Sequence, residues 1–596
     1  MTRRLSLTRF RARTLPALLL DTAERVPDRV FLRFFAPGAA GVPPREVTFA
    51  AFRALVAHAA AWLESVGVRP GDRVLLLAEN SPEWQALALG AQTLRAEPVA
   101  LFSSLSSPQA EDAARRVRPR ACFVSTPAQW QKLASCAGDL ARDGLSSVVS
   151  AEPLPDGALP AGVAAASLAS VLAEAAPALS RTELEHRAAA VGPEDPFLLL
   201  FTSGTTGRQK GVRLPQRTIV HAIDGGLSTT GVTEADVGLH LLPFGHVAGH
   251  DQFALALGQG HGLAMIAGRD ELPAALSSGP TYIFSVPLIY ERIRAQALEK
   301  VGRLPAPLRG FVQGSLEAAS RVRVDGSRSL LDRLRAWLAG RLVGRKVRSG
   351  MGGRVRGLFA GGAPASEALF RFFEGLGIPL VELYGMSETA GFIAANLFEG
   401  RRRPCVAGLL TPDHEVRFDA DGELLLRGPL LFQGYLEPAD GAGAFTEDGF
   451  FRTGDRGRVD EDGFLHLAGR KKHLLVLSTG KKVAPEPVET AIASAAPFQG
   501  AVLLGEGRPF VAAVVFVAQE ELAHLAAQGK NAAEALLPNA VAALTGFSDY
   551  EKPKRLLVIP GAPQDHPSLV TPTMKVRREA LLQFLGPAVA EMYGAA

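Results

Sequence analysis

The segment Phe201–Gly211, FTSGTTGRQKG, combines the residue types that bind phosphate groups. Its glycines let backbone N–H groups approach an anion, its hydroxyls add hydrogen-bond donors, and Lys210 supplies positive charge. It follows the apolar run Phe197–Phe201, which predicts a buried strand. A loop of this composition after a buried strand indicates a triphosphate site rather than a flexible linker. Besides Lys210, to which we assign a catalytic role, the predicted nucleotide contacts are Thr202, Ser203, Gly204, Thr205, Thr206 and Gly207.

The spacing in this segment differs from that of a Walker-type loop, which has the pattern G-x-x-x-x-G-K-[ST]. Here Gly207 precedes Lys210 by three positions, and Gly211 follows the lysine directly. Ordinary P-loop NTPases are therefore disfavoured, and another class of ATP-binding protein is indicated.

The chain before this segment alternates helical and strand patterns. Thr48 is suited to cap a helix whose apolar residues share one face as far as Gly67. Arg73–Ala78 predicts a buried strand, a second helix begins near Pro82, and Pro98–Phe102 predicts the next strand. Alternating helices and strands predict an α/β fold with parallel strands.

The pattern changes beyond Gly422, where the predicted strands are short and turn signals are frequent. Arg458–Ala468 is typical of a hairpin. We predict an α/β protein with a large N-terminal domain, residues 1–469, in which mixed sheets are flanked by helices. A small mobile α+β domain, residues 470–596, follows it. The arginine-rich residues 300–350 predict two amphipathic helices, which form an insertion in the large domain.

Four further motifs occur in order along the chain: VELYGMSETAG at 381–391, FRTGDRG at 451–457, GRKK at 469–472 and TPTMKVR at 571–577. Together with FTSGTTGRQKG they resemble the adenylate-forming superfamily, which includes acyl-CoA synthetases, nonribosomal-peptide adenylation domains and firefly luciferase. The resemblance covers roughly residues 45–580. Gln209 and Arg456 depart from the family's usual proline and aliphatic residue, whereas Lys210 and Asp455 match it.

The resemblance implies how these motifs hold ATP. Tyr384 would stack on adenine, and Asp455 would accept hydrogen bonds from the ribose hydroxyls. Glu388, with a catalytic role, would hold Mg²⁺ together with the Thr202 hydroxyl, since Mg²⁺ prefers hard oxygen ligands. The other nucleotide contacts assigned to this region are Glu382, Leu383, Gly385, Ser387 and Thr389.

The last two motifs imply a hinge and a catalytic lysine. Arg470 would contact ribose or phosphate, and Lys472 would be the pivot about which the small domain rotates. Lys575 would bridge the α-phosphate and the substrate carboxylate, where a cation offsets the charge that develops in the transition state.

Two weaker motifs complete the resemblance. Leu241–Gly249, LLPFGHVAG, is similar to the family segment that lines the acyl pocket, and we assign His246 a catalytic role there. The GGAP turn resembles the family's turn beside adenine, to which we assign Gly361, Gly362 and Ala363. The run KKVAPEPVE at 481–489 most resembles the long-chain fatty acyl-CoA synthetases.

Composition limits the partners and the compartment. Lys and Arg number 64 against 60 Asp and Glu, so the net charge of +4 is small for 596 residues and nucleic-acid binding is disfavoured. The three cysteines lack metal-ligand spacing, which favours a reducing compartment. No apolar stretch approaches the roughly 18 residues of a membrane span. We expect a cytoplasmic protein; peripheral contact with the inner membrane surface remains an alternative.

The predicted reaction is ATP-dependent activation of a fatty, long-chain carboxylic acid to an acyl-adenylate, with release of pyrophosphate and transfer to coenzyme A. ATP, Mg²⁺ and coenzyme A are the expected cofactor and co-substrates. Three alternatives stay open at this stage: a fatty acyl-AMP ligase that loads a carrier protein, a relative that activates an aryl or hydroxy acid, and an inactive nucleotide-binding regulator. The sequence does not predict the oligomeric state.

Overall fold

The computed structural model describes residues 9–38, 41–202, 209–400, 402–412, 414–571 and 575–594. The centre of the phosphate segment, residues 203–208, lies outside the described residues. The assignments at Ser203, Gly204, Thr205, Thr206 and Gly207 therefore stay predictions.

A sheet of eight described strands contains the strand that leads into the phosphate segment. Its central strands are parallel, and Pro196–Thr202 and Lys210–Pro215 form an antiparallel hairpin that pairs Thr202 with Lys210. In spatial order the strands are Gly434–Tyr435, Lys210–Pro215, Pro196–Thr202, Glu97–Leu101, Arg73–Leu77, Ala121–Val124, Ser147–Ser150 and Ala164–Ser167.

A second sheet, of thirteen described strands, is parallel at one end and antiparallel at the other. In spatial order its strands are Glu415–Phe418, Glu423–Arg427, Phe451–Val459, Phe464–Arg470, Gly408–Leu410, Gly391–Ala395, Leu380–Met386, Gly357–Gly361, Tyr282–Ser285, Val237–His240, Gly262–Ile266, Val30–Phe35 and Arg45–Thr48. The Phe451–Val459 and Phe464–Arg470 hairpin is longer than the Arg458–Ala468 hairpin expected from its turn.

Helices cover these sheets, and several begin where the sequence predicts. Thr48 caps Phe49–Ser65 by accepting a hydrogen bond from the Ala51 N–H at 3.1 Å. The helices of eight residues or more before residue 470 are Leu15–Arg25, Phe49–Ser65, Pro82–Thr93, Ser107–Val117, Arg181–Ala189, Gln216–Thr229, Val247–Gln259, Pro287–Gly302, Ala306–Arg323, Leu330–Ala339 and Glu367–Gly375. The predicted insertion thus contains two long helices. No helix among the described residues is both long and apolar enough to cross a membrane.

Beyond residue 470 the described chain has a core of its own. A three-stranded sheet of Phe498–Leu504, Ala512–Val517 and Leu556–Pro560 packs against helices on both faces. Those of eight residues or more are Pro485–Ala493, Gln519–Ala527, Ala532–Ala542 and Arg578–Leu585. The mixed sheets flanked by helices, followed by a small α+β unit, confirm the predicted fold class.

Candidate active site

Parallel strands of the larger sheet bring three motifs to one edge. Val237–His240 leads to His246, Gly357–Gly361 leads to the GGAP turn, and Leu380–Met386 contains Tyr384 and leads to Glu388. Ligands of open α/β sheets bind outside the carboxyl ends of the strands. Motifs separated by more than a hundred residues therefore face the same crevice.

Asp455, Arg470 and Tyr384 form a polar cluster in this crevice. The antiparallel register places Asp455 opposite Arg470, whose Nε lies 3.1 Å from Asp455 Oδ1. The Tyr384 hydroxyl donates a hydrogen bond to Asp455 Oδ2 at 2.6 Å. Burial and the Asp455 carboxylate raise the pKa of Tyr384 well above its usual value, so the phenol stays neutral. The cluster offers a carboxylate, a cation and an aromatic face.

Lys575 reaches this cluster from the C-terminal unit. Thr571 fixes its backbone, because the Lys575 N–H donates to Thr571 Oγ1 at 3.1 Å and the Thr571 N–H donates to Lys575 O at 2.8 Å. Partial desolvation in the cleft lowers the pKa of Lys575, and the positive charge of Arg470 lowers it further. Two cations beside Asp455 form a field suited to a polyanionic ligand.

His246 lies close enough to Lys575 for the positive charge of the lysine to affect the pKa of the imidazole. The imidazole caps Val247–Gln259, since its Nδ1 accepts a hydrogen bond from the Ala248 N–H at 3.2 Å. Burial, followed by the Lys575 charge, lowers the pKa of His246 to about 4. The ring is therefore neutral near pH 7, and its proton is on Nε2.

Glu388 and Lys210 both contact Tyr435, a residue that no sequence motif indicated. The Tyr435 hydroxyl donates to Glu388 Oε1 at 2.9 Å, and Lys210 Nζ lies 4.8 Å from the centre of the Tyr435 ring. Lys210 also donates to the Asp440 carbonyl at 2.8 Å. The Glu388 carboxylate and the Thr202 hydroxyl are hard oxygen donors and fit Mg²⁺, which when bound would offset phosphate charge.

Arg116 anchors the described end of the phosphate segment, and sequence reasoning did not find it. Its Nη1 donates to the Gln209 carbonyl at 2.7 Å, and its guanidinium pairs with Glu437. Gly211 is required beside it, because a Cβ there would lie 2.8 Å from Leu436 Cβ. Gln209 and Glu437 are distant from Arg116 in sequence, so no local pattern could have indicated this anchor.

The short helical turn Ser387–Thr389, which follows Tyr384, depends on close backbone packing around it. A Cβ on Gly385 would lie 2.0 Å from the Gly391 carbonyl oxygen, so only glycine fits. The Thr389 hydroxyl is buried within hydrogen-bond distance of the Met386 and Gly391 carbonyls and so fixes the turn. Ser387 stands exposed enough in the same turn to reach a ligand.

Glu382 is a buried acidic residue that holds the backbone next to the site. Its Oε1 accepts a hydrogen bond from the Ala365 N–H at 3.0 Å, while Oε2 is buried and has no hydrogen-bond partner among the described residues. Burial raises the pKa of this carboxyl to about 8. The contact fixes the chain just after the GGAP turn, in which Gly362 has a φ of +81° and Ala363 is exposed. The adjacent Leu383 faces an apolar cavity.

This cavity lies between Gln216–Thr229, Val247–Gln259 and the larger sheet. Its wall is almost wholly apolar and includes Ile223, Leu255, Phe284, Leu383 and Phe392; Asp251 is the one acidic residue among the described residues that line it. Asp251 Oδ1 is buried and has no hydrogen-bond partner within the described chain.

Lys472 lies at the junction between the large and small units. It belongs to the short helical turn Lys471–His473, directly after Arg470, and its side chain is exposed. Its neighbours are anchored on opposite sides: Lys471 Nζ pairs with Asp421 at 2.6 Å, and His473 Nδ1 lies 2.6 Å from Glu486 Oε1. The exposed residue is thus flanked by one contact to each unit.

Two family models match the chain. The model described as AMP-binding enzyme matches residues 19–436, and that described as AMP-binding enzyme C-terminal domain matches residues 472–596. The chain belongs to the AMP-binding enzyme family. Its motifs therefore carry the family's adenylate-forming signature, and the predicted membership is confirmed.

Relatives of this AMP-binding enzyme match over most of its length. It is 29% identical over 573 residues to the long-chain-fatty-acid–CoA ligase FadD15 of Mycobacterium bovis, covering 92% of each chain. It is 27% identical over 574 residues to the long-chain-fatty-acid–CoA ligase 1 of Homo sapiens, covering 88% of this chain and 78% of the human one.

Solved structures show the same fold at lower identity. The anthranilate CoA ligase AuaEII in complex with anthranoyl-AMP superposes with a TM-score of 0.74 at 20% identity, covering 98% of this chain and 99% of that one. The adenylation domain of a carboxylate reductase from Mycobacterium chelonae superposes with a TM-score of 0.75 at 22% identity, covering 98% of this chain and 91% of that one.

Proposed function

We propose that this AMP-binding enzyme activates a long-chain fatty acid with ATP and transfers the acyl group to coenzyme A. The observation that most supports it is that Lys575, from the C-terminal unit, lies close enough to His246, Asp455 and Arg470 to interact with them electrostatically. A carboxylate and a triphosphate repel each other, so a site that joins them needs cations at the point of attack.

In the first half-reaction, a carboxylate oxygen of the acid attacks the α-phosphorus of ATP, and pyrophosphate leaves. Lys575 offsets the charge between the two anions, and Lys210 does so at the phosphate segment. Asp455 accepts hydrogen bonds from the ribose hydroxyls, with Arg470 beside it. The neutral His246 has its Nε2–H available as a hydrogen-bond donor near the reacting groups. Mg²⁺ held by Glu388 and Thr202 would add positive charge at the phosphates.

In the second half-reaction, the thiol sulfur of coenzyme A attacks the acyl carbonyl and AMP leaves. We infer that residues 470–596 rotate about Lys472 relative to residues 1–469 between the two steps. This rotation would withdraw Lys575 and bring residues 478–482 to the site. The exposed position of Lys472 between two anchored neighbours is compatible with a pivot.

The long-chain acid is supported by two independent features. The two relatives described above are named long-chain-fatty-acid–CoA ligases, one of them over 92% of its length. The cavity that Leu383 lines has an almost wholly apolar wall, which favours an alkyl chain over a polar acid; its volume is about 30 Å³, so it would have to widen to admit the chain.

The deciding experiment measures pyrophosphate release across free acids of increasing chain length, with and without coenzyme A. We expect release that rises with chain length and a thioester only when coenzyme A is present. No release with any acid would refute the enzyme assignment. Release without thioester formation would instead favour transfer to a carrier protein.

A further inference from the structure

The insertion of the large unit differs in charge from the rest of the chain. We call residues 303–350 the basic hairpin; it comprises Ala306–Arg323, Leu330–Ala339 and the helical continuation to Gly350. It contains eleven Lys and Arg against three Asp and Glu, a net charge of +8, whereas the whole chain has +4. The remaining residues are therefore net acidic, and positive charge is concentrated on this one structural element.

The second helix of the basic hairpin has two apolar faces. Its inner face packs Ala336 and Ala339 against Ala319 of the first helix. Its outer face presents Leu330, Leu334 and Trp337, which are 81%, 56% and 56% exposed. The spacing of four and then three residues puts these side chains in one stripe along the helix. This apolar stripe has no covering element in the described chain.

Exposed apolar side chains are also concentrated elsewhere on the basic hairpin. Of the fourteen large apolar side chains that are exposed in the described chain, seven belong to it. The additional four are Leu308, Phe311, Leu331 and Leu342. Scattered single residues of this kind are normal on a surface, whereas a concentration on one short element marks an interaction site.

Arginines flank the apolar stripe. At 3.6 residues per turn, Arg333 and Arg335 project on opposite sides of it. Arg341 continues the stripe, and its guanidinium lies 5.0 Å from the centre of the Trp337 ring. Among the described residues no carboxylate lies within ion-pair distance of these three arginines; Asp332 pairs with Arg321 at 2.8 Å and interacts with Arg335 only at longer range. Their charges are available to an external anion.

We propose that the basic hairpin docks on an anionic lipid bilayer, with Leu330–Ala339 lying in the plane of the interface. Leu and Trp on one face with flanking arginines are the pattern of interfacial helices, in which the apolar side chains enter the boundary between headgroups and acyl chains. The arginines pair with lipid phosphates and are attracted by the negative surface potential. A nucleic acid would satisfy the arginines but would leave the leucines in water, and a protein partner would need an apolar groove bordered by acidic residues. This surface is separate from the ATP site and does not depend on the proposed reaction.

Co-sedimentation with vesicles tests the proposal. The purified full chain is mixed with vesicles of phosphatidylcholine alone, or of equal parts phosphatidylcholine and phosphatidylglycerol. We expect binding to the anionic vesicles that weakens with added salt. The triple variant Leu330→Gln/Leu334→Gln/Trp337→Gln should lose about tenfold in affinity, and Arg333→Gln/Arg335→Gln should lose affinity for the anionic vesicles selectively.

Two matched controls separate the stripe from general surface effects. Leu582→Gln/Phe584→Gln removes exposed apolar side chains outside the basic hairpin, and Arg118→Gln/Arg142→Gln removes exposed arginines outside it. Both should bind as the wild type does. Unchanged melting temperatures would show that each variant is folded.

Fluorescence locates the contact directly. Trp337 is the one exposed tryptophan among the chain's four, so lipids with brominated acyl chains should quench a component that is missing in Trp337→Phe. The proposal fails if the wild type does not bind anionic vesicles, or if the triple variant binds equally well. It also fails if the stripe proves to be a self-association surface, seen as a dimer that the triple variant converts to monomer.

Discussion

At the residue scale, the candidate site depends on pairing a few charged groups that the fold brings together. Asp455 sits between Arg470 and the Tyr384 hydroxyl, and Lys575 adds a second cation from the C-terminal unit. The arrangement keeps two positive charges near one carboxylate and so favours an incoming anion. Its function therefore depends on where Lys575 is held.

Replacing Lys575 with alanine should separate the two half-reactions. We expect acyl-adenylate formation to fall by about 10²–10³-fold, because a preorganised charge at the attacked phosphate is lost. Thioester formation from preformed acyl-adenylate should be unchanged. Single-turnover assays of each half measure both, with Lys530→Ala as an exposed-lysine control. An equal loss in both halves would contradict the role assigned to Lys575.

Asp251 is a buried carboxyl group, and its effect on the stability of the fold should depend on pH. Burial raises its pKa well above the ordinary value of about 3.9, so the folded chain keeps this proton to higher pH than the unfolded chain does. The folded state therefore loses stability as pH rises above about 4. Asp251→Asn should raise the melting temperature, and by more at pH 8 than at pH 5.

Asp224→Asn is the contrasting variant, because this buried carboxylate is paired with Arg13 at 2.8 Å. It should lower the melting temperature at pH 8. If Asp251→Asn also lowered it there, the carboxylate of Asp251 would have a partner that the structure does not show.

At the element scale, the orientation of the C-terminal unit is fixed by contacts away from the ATP site. In Pro287–Gly302, Glu291 Oε1 accepts hydrogen bonds from Ser366 Oγ at 2.6 Å and from Ser494 Oγ at 2.9 Å. Arg294 donates to the Ser494 carbonyl at 3.1 Å. Ser494 directly follows Pro485–Ala493, so this contact joins a helix of each unit.

Removing the Glu291 carboxylate should disfavour the orientation that places Lys575 in the site. A hydrogen bond to a charged group contributes about 1.5–3 kcal/mol, so Glu291→Ala should slow acyl-adenylate formation roughly tenfold. Thioester formation from preformed adenylate should keep its rate. Glu299→Ala is the matched control, since that carboxylate contacts only Arg303 within the described part of the same helix. Unchanged adenylation in Glu291→Ala would show that the contact does not set the orientation.

At the scale of the whole molecule, buried imidazoles should make the fold sensitive to acid. Burial lowers the pKa of His240 to about 4 and those of His250 and His261 to about 3. The unfolded chain therefore takes up these protons first, and stability falls as pH drops below the ordinary histidine value of about 6.5.

We expect the melting temperature to fall between about pH 6.5 and pH 4, as followed by calorimetry. His250→Gln should reduce this dependence, because a neutral amide cannot take up a proton. His524→Gln, at an exposed position in Gln519–Ala527, should leave the dependence unchanged. The explanation would be wrong if His250→Gln kept the pH profile of the wild type, or if His524→Gln reduced the dependence as much.

The sequence alone determined the motif residues and most local elements. The hydroxyl-rich loop after an apolar strand, the Thr48 cap and the amphipathic insertion follow from patterns within a few residues, and such patterns survive without tertiary context. The family resemblance then supplied the roles of Glu388, Asp455 and Lys575. The internal structure of residues 151–190, which includes Arg181–Ala189, was not apparent because that stretch has little periodicity.

The tertiary structure decided which residues meet. Arg116 binds Gln209 and Glu437, Tyr435 joins Glu388 to Lys210, and Glu291 joins Ser366 to Ser494. These partners are distant in the chain, so no local spacing relates them. The outer face of Leu330–Ala339 also needed the structure, because both faces of this helix are apolar and only packing showed which one is covered. Local pattern fixes residue type and element, whereas proximity between distant segments arises only when the sheets assemble.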